Sequence, residues 1–412
     1  MKEPTLPLLV RGFLFASTQA TEPECFNRLL LATEKAYGPV VMRVRKDDLL
    51  FLNNIDTNTL HGVFRATSDG GFNIQPEAWN GKYPYQVKVE LLGDVVSLVD
   101  AKGILNRFGL GRNKPLFGSR LADVLGCFLS SPRQLDSSST SQGATSNSLI
   151  LKHIESIRAR RAKVDIEPEI PLVEATTFWD FPAQSYGLTS KGDNRYPGVT
   201  PAGIIYNLVW RYTDPGDLVV DPMCGSGTTI DVCREEKRRV IGYDISPVRK
   251  DIIQNDARSI PLDDNSADMV FIDSPYGDNI RYNDHPDNIG NISSESDEFY
   301  DELEKVMKES HRILKEGKVL GWLIGDQWVK HKFTPVGLKI YTSLCNYFEP
   351  LDIICVARRS QSSNTPVWYT RARRHNFYLR GFKYLIIVRK TTRRAFSESP
   401  RNIKWAQYER SL

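Results

Sequence analysis

From Ala267 to Tyr276 the sequence reads ADMVFIDSPY, an apolar run of strand length that stops at a carboxylate, a serine, a proline and a tyrosine. Two acceptors followed by an aromatic ring suit one kind of chemistry. An amine conjugated to a flat ring is a poor nucleophile until its lone pair is localised, and acceptors on both of its hydrogens do that. The Asp273 carboxylate and the Ser274 backbone carbonyl offer such a pair, and they stabilise the positive charge that develops as the nitrogen attacks an electrophile. Tyr276 is then available to stack on the ring. Once alkylated, the amine is strongly acidic, so Asp273 can take up the released proton directly or through water.

A second group of residues lies about fifty positions earlier. Gly216 to Pro247 reads GDLVVDPMCGSGTTIDVCREEKRRVIGYDISP: a short apolar strand, a Gly-rich turn, a helix, a second strand and an acidic residue at its end. Gly225 and Gly227 let the backbone turn tightly and approach a ligand closely, and the amides at the helix start can donate to an anionic group. Asp244 stands 23 residues after Asp221, where a strand-end carboxylate can accept both hydroxyls of a ribose. A Gly-rich turn alone could equally open a dinucleotide site, but the dehydrogenase pattern GxGxxG is absent.

These residues carry a resemblance. DPMCGSGTT followed by GYDIS resembles motifs I and II of the class I S-adenosylmethionine-dependent methyltransferases, in their amino-methylating branch. DSPY resembles the (D/N/S)PP(Y/F/W) tetrad of enzymes that methylate exocyclic amino groups of adenine, cytosine or, in some RNA enzymes, guanine, with Ser274 in place of the first proline. FWDFP (Phe178 to Pro182) and YPGVTPAGIIYNLVWRY (Tyr196 to Tyr212) resemble the segment that precedes motif I, and RHNFYLRGFKYLIIVRK (Arg374 to Lys390) resembles the closing segment of the N4/N6 DNA methylase family. The resemblance spans about 175 to 390. It implies S-adenosyl-L-methionine as cofactor, bound by Asp221, Pro222, Cys224, Gly225, Gly227 and Thr228, with Asp221, Gly225 and Gly227 flanking its methionine part, Asp244 on the ribose, Asp256 near the adenine, and Tyr196 and Thr200 of the preceding segment also binding it. It implies Asp273, Ser274, Pro275 and Tyr276 as the catalytic tetrad. A target base inside a duplex reaches such a pocket only when flipped out or already unpaired. Methylation at cytosine C5 is disfavoured, because it uses a thiolate that usually sits in a Pro-Cys dipeptide and the chain has none.

The elements that must position these groups follow from pattern. The βαβ unit and the later strands predict an α/β, doubly wound Rossmann-like sheet over 175–412. Thr200 with Pro201 reads as an N-cap and first position of a helix whose apolar row is Ile204, Ile205, Leu208 and Val209. ESHRILKEGKVLGWLIGD (Glu309 to Asp326) reads as helix, Gly turn and strand. The loop after the tetrad, from Tyr282 to Tyr300, reads either as a lid or as a solvated loop.

Upstream, strand-like runs at Gly12 to Ser17, Asp48 to Asn53, Leu60 to Thr67 and Tyr85 to Leu92, with an amphipathic segment at Cys25 to Lys35, predict a small partly closed α+β barrel with one or two helices. RGFLFAS, DLLFLNN, TLHGVFRATSDGGFNIQPEAW and YPYQVKV resemble the DCD branch of the PUA-like superfamily, which includes the EVE and YTH modules. Some of that superfamily bind nucleic acid, which makes Trp79, Phe72 and Tyr83 candidates for base stacking, against the alternative that they pack the barrel. Ser130 to Ser148 holds eight serines and reads as a linker. The expected organisation is a module over 1–130, a linker with a basic helix (Leu149 to Val164) over 131–174, and the methyltransferase domain over 175–412.

Charge is uneven. The chain of 412 residues has a formal net charge of +4, yet Ile353 to Ser397 holds eleven Lys or Arg and no acid, so +4 less +11 leaves −7 for the rest. Arg358, Arg359, Arg371, Arg373, Arg374 and Arg380, interleaved with Trp368, Tyr369, Phe377 and Tyr378, predict a phosphate-binding surface with stacking groups. The six cysteines are scattered with no CxxC pair, which disfavours disulfides and a structural zinc site. No run nears the roughly 18 apolar residues of a membrane span, and the expected setting is cytoplasmic with no metal. By the resemblance to the N4/N6 family, the leading function is a DNA methyltransferase acting on cytosine-N4 or adenine-N6. An RNA base amino-methyltransferase and a non-catalytic reader of modified bases are the alternatives.

Overall fold

The computed structural model describes residues 11–108, 116, 118–130, 140–160, 173–187, 189–193, 195–278, 280, 282–329, 332–359 and 365–391. The chain divides into two compact units, Met1–Glu167 and Pro168–Leu412.

In the first unit a six-stranded sheet has the path Gly12–Ser17, Leu49–Asn54, Thr59–Ala66, Tyr85–Val99, Leu30–Thr33, with Gly71–Phe72 also paired to Tyr85–Val99. Only the first pair is parallel. Tyr85–Val99 is fifteen residues long, so it serves Leu30–Thr33 with its first half and Thr59–Ala66 with its second. The sheet thereby curls, and its two end strands leave an open seam. The segment expected as one amphipathic stretch from Cys25 instead breaks in two. A helix over Glu22–Arg28 ends where Leu29 turns left-handed (φ 48°), and the chain continues as the strand Leu30–Thr33.

The basic helix expected from Leu149 starts earlier, inside the serine-rich run, and belongs to the first unit. Thr140–Arg160 is a single helix, and Ile150, Ile154 and Ile157, spaced four and three apart, are buried in the first unit's core with Leu121, Leu125 and Phe128. Burying each such side chain contributes about 2 kcal/mol, which holds the helix against the unit despite its serine-rich start. Helices Ala101–Arg107 and Gly118–Ser130 also cover this core, more than the one or two expected. Residues 131–139 and 161–172, including most of the proline-containing connector, lie outside the described residues.

The second unit is a doubly wound sheet. Its strands lie in the order Ile253–Gln254, Arg239–Asp244, Leu218–Asp221, Ala267–Asp273, Leu314–Ile324, Phe382–Arg389, Glu349–Ala357, Phe178–Trp179. All run parallel except Phe382–Arg389, which is antiparallel to both neighbours. Ala267–Phe271 and Ile272 are fully buried, as a central parallel strand covered on both faces must be. The covering helix Asp297–Ile313 buries Phe299, Leu303, Val306, Met307, Ser310 and Ile313 along one stripe. Ser296 caps it by accepting from the Glu298 amide at 3.2 Å, and Asp297 and Glu298 complement its positive end. Chain order reverses on either side of Leu218–Asp221, so a crevice opens at the carboxyl ends of that strand and its neighbours. Asp221, Asp244 and Asp273 are the last residues of three adjacent strands.

Candidate active site

The Gly-rich turn joins Leu218–Asp221 to the helix Thr228–Glu235. Two of its glycines are required by geometry. Gly225 has φ +50° and a Cβ there would lie 3.0 Å from the Tyr196 ring; Gly227 has φ +86° and a Cβ would lie 2.5 Å from the Arg249 guanidinium. Asp221 is buried, accepting from Thr229 Oγ1 at 2.5 Å and from the Met223 amide at 3.0 Å. Asp244 accepts from the Gly225 amide and the Ser246 amide, each at 2.9 Å, so one carboxylate ties the turn to the end of the next strand. Each of its oxygens keeps a second lone pair. Arg249, which sequence reasoning missed, clamps the turn from outside. It donates to the Ser226 carbonyl at 3.1 Å and pairs with Asp231 and Asp251 at 2.8 Å each.

A cleft of about 870 Å3, counting its open mouth, lies over this turn. Tyr196, Thr200, Asp221, Pro222, Cys224, Gly225, Thr228, Asp244, Asp256, Asp273 and Pro275 all line it; Gly227 instead supports the turn from behind. Thr228 Oγ1 is buried there with no hydrogen-bond partner among the described residues. Tyr282 stacks on Tyr196 at 6.2 Å, and Asn288 and Ile289 are buried. The segment expected as a lid or a solvated loop is therefore, over these residues, a packed wall of the cleft. Asp256 reaches the lining with its carboxylate bound by Arg258 at 2.6 Å, while Asn255 turns its amide to the carbonyls of Asp256 and Ser259.

Burial sets the electrostatics. It pushes the Asp221 carboxyl up to about 7 and raises those of Asp244 and the Tyr196 and Cys224 side chains. At Asp256 burial acts the same way, but hydrogen bonds from Arg258 outweigh it and hold the carboxyl below its usual value. Asp221 therefore binds its proton more tightly folded than unfolded, where its value is 3.8. Its contribution to stability is fully present below that value and is lost as pH rises through about 7. The stability of the wild type relative to Asp221→Asn is expected to fall by about 1 kcal/mol per pH unit between these values. Thermal unfolding of both proteins in a buffer series checks this, and a flat difference would contradict it.

The segment Asp273 to Tyr276 differs in its surroundings from what sequence suggested. Thr200 does not cap the helix: that helix is Ala202–Tyr212, Pro201 takes the cap position, and no side chain caps it. The Thr200 hydroxyl is instead committed to a stronger acceptor, donating to Asp273 Oδ2 at 2.6 Å. Lys383 Nζ donates to Asp273 Oδ1 at 2.8 Å and to Oδ2 at 3.1 Å. Ser274 is buried and its hydroxyl accepts from Trp322 Nε1 at 2.9 Å. Tyr276 Oη bonds Arg358 at 3.1 Å. A second cavity, about 1550 Å3 with its open mouth, is lined by Phe181, Tyr276, Tyr282, Arg358, Arg359 and Lys383 among others, and shares Tyr196, Gly198, Val199 and Tyr282 with the first.

The basic segment is divided. Arg371, Arg373 and Arg374 lie exposed on the helix Pro366–Arg374, beside exposed Trp368 and Tyr369. Arg371 lies over the Trp368 ring at 5.1 Å and Arg380 over Phe333 at 5.1 Å. Arg359 pairs with Asp180. Lys390 does not join this surface: it is buried, donating to Asn265 and to the His311 carbonyl. Arg389 faces Glu349 at 3.8 Å. Arg393 and Arg394 lie outside the described residues. Trp79 belongs to the first unit, where it lines a cavity along the seam with Phe15, Tyr37 and Tyr83. Its Nε1 donates to the Thr21 carbonyl at 3.2 Å, whereas Phe72 packs on Tyr85 away from that cavity. Among the described residues no group of three His, Cys, Asp or Glu could hold a metal, and no helix is long and apolar enough to cross a membrane.

Comparison with known proteins finds two family matches, the second of which crosses the boundary between the units. Residues 11–103 match the development and cell death domain, and residues 138–255 match the DNA methylase family. Neither match covers half of the chain. The second match starts just before the helix that packs in the first unit and ends beyond Asp244. The chain is 38% identical over 87 residues to the B2 protein of Daucus carota (19% of this chain, 42% of that one). It is 40% identical over 55 residues to the type II methyltransferase M.Cfr9I of Citrobacter freundii (13% and 18%). It spans less than half the length of these curated relatives. Among solved structures it is similar to a Burkholderia thailandensis 1,6-didemethyltoxoflavin-N1-methyltransferase, at 13% identity and a TM-score of 0.31, over 48% of this chain and 80% of that one.

Proposed function

We propose that the second unit is an S-adenosylmethionine-dependent methyltransferase that acts on an exocyclic amino group of a DNA base, cytosine-N4 or adenine-N6. One observation carries this: Asp273 lines the cavity over the Gly-rich turn and is hydrogen-bonded to Lys383, which lines the adjoining cavity together with Tyr276, Arg358 and Arg359. The tetrad lies beyond the matched segment 138–255, so its role rests on this geometry. The first cavity fits the cofactor. The unpartnered Thr228 hydroxyl suits a carboxylate, the glycine cradle admits a close ligand, and Asp244 has lone pairs free for ribose hydroxyls. When bound, S-adenosylmethionine supplies an electrophilic methyl group on a sulfonium. Asp273 and the Ser274 carbonyl would accept the amine hydrogens, Tyr276 would stack on the base, and Asp273 would receive the proton lost after transfer.

Labelled cofactor, incubated with genomic DNA or with total RNA from a strain lacking the gene and followed by digestion to nucleosides, tests this. Label is expected in N4-methylcytosine or N6-methyladenine from DNA. Label confined to RNA would move the substrate to RNA, and label in neither would remove the enzymatic reading. Replacing Arg371, Arg373 and Arg374 together by Gln is expected to weaken DNA binding regardless of sequence. Its salt slope should flatten by about one unit per lost phosphate contact, which a binding titration over a salt series measures.

A further inference from the structure

The acceptor that the proposed reaction needs is already occupied by a lysine. Lys383 Nζ lies within hydrogen-bond distance of both Asp273 oxygens, and the Thr200 hydroxyl also donates to one of them. Lys383 and Asp273 are largely withdrawn from water, with side-chain exposures of 16% and 12%. An ammonium and a base amine offer a carboxylate the same thing, N–H donors, so they compete for the same lone pairs. The ammonium is also unfavourable for the chemistry. Methyl transfer puts positive charge on the attacked nitrogen, and a second cation on the same carboxylate opposes that charge in a site shielded from water.

Lys383 therefore has to leave Asp273 before transfer, and its surroundings indicate what draws it away. In the antiparallel pairing Val356 stands opposite Lys383, so Arg358, two residues on, shares its face. Lys383 and Arg358 each lie 5.7 Å from the centre of the Tyr276 ring, and Arg359 lines the same cavity. A base entering as part of a nucleic acid brings phosphates to this cationic wall; a free base or nucleoside brings none. A lysine is a compact charge on a long flexible stem and forms strong charge-assisted bonds with phosphate.

We infer that Lys383 is a phosphate-released latch: docked on Asp273 it closes the target site, and the phosphate of an incoming nucleotide draws it off and frees the carboxylate. This rests on the proposed amino-methylation and narrows its substrate class to phosphate-bearing nucleotides. Lys383 is on this account a positioning residue.

The test compares transfer of labelled methyl to genomic DNA, to deoxycytidine and deoxyadenosine, and to their 5′-monophosphates. Wild-type protein is expected to label the monophosphates about tenfold better than the nucleosides. Lys383→Met, which keeps the stem and removes the charge, is expected to narrow the gap between DNA and nucleoside by about tenfold or more. Equal labelling of monophosphate and nucleoside by the wild type would overturn the latch, and that comparison does not depend on any variant folding. So would an unchanged DNA-to-nucleoside ratio in Lys383→Met. Loss of transfer to every acceptor by Lys383→Met, with cofactor binding intact, would make Lys383 a catalytic group and also overturn it. Absence of label in DNA with wild-type protein would instead defeat the amino-methyltransferase assignment, and the latch with it.

Discussion

The Asp273→Ala protein is expected to bind S-adenosylmethionine as the wild type does and to transfer no measurable methyl group. The carboxylate lies at the end of a fully buried central strand, held by Thr200 and Lys383, so its position is fixed before any substrate arrives. Removing a preorganised group that faces developing charge lowers kcat by about 10^3-fold, and here the proton acceptor goes with it. Asp273→Asn separates the two contributions, since its amide oxygen still accepts one amine hydrogen but the negative charge is gone. Residual transfer by the Asn variant and none by the Ala variant is the expected order, read from initial rates at saturating cofactor. A fully active Asp273→Ala protein would place the chemistry on another carboxylate.

Asp244→Ala is expected to fail at the earlier step. Two consequences add. The carboxylate accepts from the amides of Gly225 and Ser246, so its loss strands two backbone donors and unties the Gly-rich turn from the neighbouring strand. It also removes the acceptor proposed for the ribose hydroxyls. Hydrogen bonds to a charged group are each worth about 1.5–3 kcal/mol, so the cofactor Kd should rise by about 10^2-fold or more. Calorimetric titration with S-adenosylhomocysteine measures this without needing a nucleic-acid substrate. Unchanged affinity would show that Asp244 serves the turn alone.

What the sequence made legible is what lies close together along the chain. Asp221, Gly225, Gly227 and Asp244 fall inside one βαβ unit, so strand ends and turn could be placed from spacing. The partners of Asp273 could not. Thr200 and Lys383 stand 73 and 110 residues away, and only the fold of the second unit brings them in. The cap assigned to Thr200 shows the same limit, because cap preference describes local competition and the Asp273 carboxylate outbids it. Composition misled where a run was averaged: eight serines concealed that the helix carrying Ile150, Ile154 and Ile157 already starts at Thr140. The eleven charges concealed that Lys390 is buried at the opposite end of its strand from Lys383. The weak trace that could have exposed Lys383 is its place in GFKYLIIVRK, two residues ahead of a continuous apolar run.

The reversed strand Phe382–Arg389 has a consequence for how the protein is made. It is inserted between Leu314–Ile324 and Glu349–Ala357, both of which leave the ribosome before it. Until it arrives, each of those strands exposes an open edge able to pair with another chain. The sheet cannot be completed in the order of synthesis, and its last-made insert is the one that delivers Lys383 to Asp273. A nascent chain stopped short of this strand would hold the Gly-rich turn and the tetrad with two sticky edges and no cation on the carboxylate. Completion of the fold and closure of the site are thus the same event.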